Sequence, residues 1–78
     1  SKGLELLMRQ ALLDALEARY EAEVAGAHAI IKIFLENPVG IGEHPQHLDE
    51  LDKQFGKIAE AEDKLKALES FQIERLKI

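Results

Sequence analysis

Seventy-eight residues allow one small domain at most, near the lower limit at which a single core sustains a fold. The formal net charge of −5 argues against general nucleic-acid binding, which needs a basic face to displace counterions, and the lack of cysteine excludes disulfides, thiolate metal sites and thiol nucleophiles. No apolar run reaches the length of a membrane span, and Glu5, Arg9 and Asp14 interrupt the first leucines, so the sequence points to a soluble, cytoplasmic chain without a signal peptide.

The first element predicted is a helix over residues 4–36. At 100° per residue Leu13, Leu16, Tyr20, Val24, Ala27, Ile31 and Phe34 fall in one stripe, with steps of three and four throughout. This is the bulky seam. A second stripe lies on roughly the opposite side: Leu4, Met8, Ala11, Ala15, Ala18, Ala22, Ala25, Ala29 and Ile33. Asp14, Glu17, Glu21, His28 and Lys32 run along one flank, and Glu5, Arg19 and Glu23 along the other. The helix therefore has two candidate contact faces, one bulky and one small.

Residues 37–44 form the predicted loop, the one segment rich in Gly and Pro. Pro38 lacks a backbone N–H and disfavours helical geometry at Asn37, so the first helix should end near Glu36. Gly40 and Gly42 permit positive φ and a reversal within few residues. Val39 and Ile41 alternate with them and are expected to turn inward as an apolar plug. Together with Glu43, His44 and His47 they are also a candidate recognition tip, weighed against a purely structural turn.

Pro45 suits the first position of a second helix, predicted over 45–76, with Asp49 and Glu50 placed where the dipole favours negative charge. Its expected seam is Leu48, Leu51, Phe55, Ile58, Ala61, Leu65, Leu68 and, less regularly, Leu76; Phe71 and Ile73 depart from it. Lys53, Lys57, Lys64 and Lys66 are interleaved with acids, which makes a mixed solvated face, and the orders Glu60–Lys64 and Glu62–Lys66 give local support to the helix.

The fold class is thus all-α: an antiparallel, coiled-coil-like two-helix hairpin in a single domain over 1–78. Ordering a chain costs about 1.5 kcal/mol per residue, and two helices that bury one stripe each barely offset it. Completion into a helical bundle by self-association, or by a partner protein, is the expectation. The small-residue stripe, Ala11, Ala15, Ala18, Ala22, Ala25 and Ala29, is the surface available for it; the competing reading is that Ala, the best helix former, merely faces water there.

Chemistry-bearing constellations are sparse. His44 and His47 are spaced H-x-x-H with Glu43, Asp49 and Glu50 close by, a weak zinc-ligand pattern with no second His pair, and a capping His44 followed by a solvent-facing His47 accounts for it. Carboxylates are spread along helix flanks without a pocket to separate their pKa values. Ser1 and Ser70 have no His nearby in sequence, Thr is absent, and Gly40-x-Gly42 lacks the rest of a phosphate loop. The expectation is a non-catalytic interaction or assembly module without cofactor or metal, and without nucleic-acid or membrane partners. The alternatives are a small regulator that lays a helix on a larger protein, or a metal-binding protein using His44 and His47.

The run from Ile33 to Pro45, I-F-L-E-N-P-V-G-I-G-E-H-P, with the acidic I-A-E-A-E-D-K-L from Ile58 to Leu65, resembles small uncharacterised proteins of tailed phages of marine bacteria, T4-like cyanophages among them. The resemblance covers roughly residues 20–68 and leaves the first twenty without a counterpart. It implies a phage origin and a host-cytoplasm setting. It implies no activity.

Overall fold

A computed structural model describes residues 1–37 and 45–76, with side chains over 1–37 and 47–72. Two helices make up the described chain: α1, Lys2–Glu36, and α2, Pro45–Leu76. They pack side by side as an antiparallel hairpin, 60 Å long and 17 by 16 Å across. The expected all-α hairpin is what the sequence forms.

The helix bounds follow from local chemistry. Ser1 is the N-cap of α1: its Oγ accepts a hydrogen bond from the Leu4 N–H at 3.3 Å, and its carbonyl accepts from the Glu5 N–H at 3.0 Å. One donor left bare by the helix start, the Leu4 N–H, is thus satisfied, the Glu5 bond being the first regular helical one, and the helix begins two residues before the apolar pattern does. At the other end Asn37 leaves helical geometry, with φ −121° and ψ 74°, as a residue before proline must. Pro45 opens α2, where its missing N–H costs nothing. Asp49 and Glu50 fall in the second turn of α2 rather than the first, too far in for the dipole to be their main role.

The seam of α1 is the expected one. Ala27 and Ile31 are buried, while Leu13, Leu16, Tyr20, Val24 and Phe34 are half-buried along the same line. On α2 the seam differs from the expected line. Leu48 is 72% exposed and Phe55 56%, whereas Gln54 is 2% exposed and His47 is half-buried. From Leu51 on, the buried and half-buried positions run Leu51, Gln54, Ile58, Ala61, Leu65, Leu68 and Gln72, strictly alternating steps of three and four, with His47 and Glu50 half-buried before them. A line through Phe55 takes two successive steps of three, each of which rotates it by about 60° off the seam. His47 is not solvent-facing but lies against Phe34, with ring centroids 5.5 Å apart at 58°.

Ala27, Ile31 and Ile58 form the core cluster, with Val24 and Leu51 packed on it. Toward the open end the seam turns polar: Gln72 Nε2 donates to Glu17 Oε2 at 2.8 Å, which fixes the register of the two helices. Glu17, assigned by the wheel to a charged flank, is half-buried there. Of the two expected acid–base pairs, Glu60–Lys64 forms at 3.0 Å; Glu62–Lys66 is not among the ion pairs of the described residues.

Candidate interaction surface

On the side of α1 away from α2, Leu4, Met8, Ala11, Ala15, Ala18, Ala22, Ala25, Ala29 and Ile33 are all exposed. Leu7 and Gly26 fall in the same sector, and no charged residue interrupts it from Leu4 to Ile33. The largest members are far from buried: Leu4 is 58% exposed, Leu7 69% and Met8 59%. The hairpin satisfies one apolar face of α1 and leaves the other in solvent. Scattered exposed leucines need no explanation, but a continuous apolar stripe along a helix of 35 residues does.

The stripe has polar borders. Asp14, Glu21 and His28 follow one edge, and Glu5 and Arg19 the other, with the apolar Leu12 between them. Asp14 Oδ1 accepts from Gln10 Nε2 at 2.5 Å, one turn back on its own helix. Sequence periodicity identified the alanines but gave no role to Leu7 and Leu12. Residues 4–8 and 11–13 are apolar at nearly every angle, so the wheel alone cannot assign each to a face.

Between the helices on one side runs a shallow groove lined by Glu23, Gly26, Ile30, Gln54, Lys57 and Lys64. Gln54 Nε2 donates to Glu50 Oε1 at 3.0 Å, while its own Oε1 is buried with no protein partner among the described residues. Lys64 pairs with Glu60 and places its ammonium 5.5 Å from the centroid of the Tyr20 ring. The hydrogen bond to Glu60, reinforced by that carboxylate's charge, holds the Lys64 pKa above the usual lysine value. Glu23, Lys57, Glu60 and Lys64 are exposed, and the groove is open to solvent. They form no enclosed site in which a reaction could be screened from water.

Of the candidate tip, Val39, Gly40, Ile41, Gly42, Glu43 and His44 lie outside the described residues, as do the side chains of Ile73 and Leu76. His47 is described, and its neighbour is the aromatic ring of Phe34. Among the described residues no three His, Asp or Glu side chains gather as a metal site, and no described helix is long and apolar enough to cross a membrane.

Comparison with protein-family models, with curated proteins and with solved structures gives no match.

Proposed function

We propose that this chain is a non-catalytic assembly module that self-associates through the outer face of α1. The observation that carries the reading is the uninterrupted exposed stripe from Leu4 to Ile33 on a helix whose opposite face already fills the seam. A helix apolar on two sides is stable in water only when both sides are covered. Small side chains along the middle of the stripe let a second helix backbone approach closely, within the roughly 8–10 Å typical of packed helices. The setting proposed is cytoplasmic, the host cytoplasm if the phage resemblance of the tip holds.

Light scattering at micromolar concentration tests this reading. A dimer or higher oligomer that Ala22→Glu converts to monomer is the expected result. A monomer for the unmodified chain refutes it and favours the small-regulator alternative, in which the same stripe waits for a larger protein. The metal-binding alternative predicts that zinc raises the melting temperature by mass action and that His47→Ala removes the effect. The expected result is no zinc-dependent shift.

A further inference from the structure

We infer that the second copy lies parallel and in register along α1, so that two hairpins join with both tips at the same end. This arrangement rests on the self-association proposed above and names its geometry. The argument is charge and size complementarity across the stripe. In a parallel helix pair the residue just before one core position reaches the residue five further along the partner, and these flanking pairs set orientation. With Ala15, Ala18 and Ala22 as core positions, that rule places Asp14 opposite Arg19 of the second copy and Leu7 opposite Leu12, each contact occurring twice by symmetry. Asp14, Arg19, Leu7 and Leu12 are all exposed in the single chain, and Arg19 has no ion-pair partner among the described residues. The carboxylate of Asp14, though bonded to Gln10, can accept from a further donor.

The antiparallel alternative fails on the same residues. Antiparallel packing brings like flanks together. In the register that matches the ends of the stripe, Leu4 against Ile33, it leaves Arg19 within one residue of level with Arg19 of the other copy and Asp14 within two of Glu21. Like charges brought that close on facing flanks oppose association. The parallel arrangement also gathers Leu4, Leu7, Met8 and Leu12 of both copies into one apolar cluster. Because the seam and the stripe lie on opposite sides of α1, the four helices stand in a row, with the two α1 helices inside.

Cross-linking and charge exchange test the geometry in the full chain. The protein has no cysteine, so Met8→Cys introduces a single thiol. In the parallel pair the two Cα atoms at this position lie within the range a disulfide spans, roughly 4.4–6.8 Å. In the antiparallel pair they are about 30 Å apart. Mild oxidation in glutathione buffer is expected to link nearly all of the dimer. Separately, Asp14→Lys and Arg19→Glu should each weaken self-association about tenfold, and mixing the two variants should restore it, because the mixed pair recovers both attractions. A dimer in which Met8→Cys stays unlinked, or whose mixed charge variants associate no better than either alone, overturns the parallel arrangement and leaves self-association standing. A monomer by light scattering overturns both.

Discussion

The outer faces of the two helices are made to different specifications. That of α2 carries Asp49, Asp52, Lys53, Glu60, Asp63 and Lys66, all exposed, with Ala59 and Ser70 between them. That of α1 is apolar from Leu4 to Ile33 and equally exposed. The second helix therefore packs through the seam and presents mostly charge on its outer face, with Leu48 and Phe55 exposed along a flank. The first has two faces to pack. Hydrophobic burial is roughly proportional to apolar area removed from solvent, so the unmet demand of the hairpin is concentrated on α1.

Truncation of the seam gives the largest effect on this contrast. Ile58→Ala should cost about 3 kcal/mol in urea unfolding, the typical cost of opening a cavity at a buried isoleucine. Ile33→Ala, on the outer stripe, should lower the association constant and leave the unfolding of the single hairpin nearly unchanged. Next comes charge on the two outer faces. Ala22→Glu should weaken self-association by at least a hundredfold, about 2.7 kcal/mol, because an ionised carboxylate cannot be left unpaired in a helix contact. Ala59→Glu, the matching change on α2, should alter stability by less than about 0.5 kcal/mol. Equal responses to the two glutamates in sedimentation and melting experiments would erase the distinction between the faces.

Smaller effects sharpen it. Gln54→Leu should stabilise the seam by about 1 kcal/mol, visible as a rise of several degrees in melting temperature, since it removes a buried carbonyl oxygen that lacks a partner. A lower melting temperature would mean that the Gln54–Glu50 pair contributes more than the orphaned oxygen costs. Gly56→Ala, on the outer face of α2 with open space around the added methyl, should stabilise by about 0.5–1 kcal/mol through helix propensity.

The smallest effect is on pH. Lys64 is held above its ordinary value of 10.5 by Glu60, so its contribution is fully present below that pH and is lost as pH rises through the higher folded value. The Lys64-dependent part of the melting temperature should be flat through neutrality and fall only in strongly alkaline solution, and Lys64→Met should remove that part.

Much of this architecture is legible in the sequence, and the misses share a cause. Pro38 and Pro45 mark the ends of the helices because proline constrains both its own backbone and that of its neighbour. Most of the α1 seam is read directly from its apolar positions and Tyr20, while Glu17, also on it, falls to a charged flank on the wheel. The seam of α2 is read less well. Two of its positions are Gln54 and His47, and a search for apolar residues slides by one place onto Phe55 and Leu48. Counting sevens back from Leu68 through Ala61 to Gln54 and His47 would have found both, at the price of accepting polar side chains in the interface. The start of α1 at Lys2 was missed for a related reason: the Ser1 cap carries no apolar signal. On the outer face, the alanines were legible from their spacing, but whether they pack depends on a second molecule that a single sequence does not display.

Among the buried residues, Ala61 at 1% and Ala27 at 2% are more enclosed than the isoleucines and Leu68. They lie in the stretch of seam between the Phe34–His47 and Glu17–Gln72 contacts. A side chain that short is shut off from solvent only if the facing helix comes close, so the helices approach tightly there. A wedge there, such as Ala61→Leu, would lever the two arms of the hairpin apart, and the strain would be felt at both ends, at the Phe34–His47 stack and at the Glu17–Gln72 bond alike.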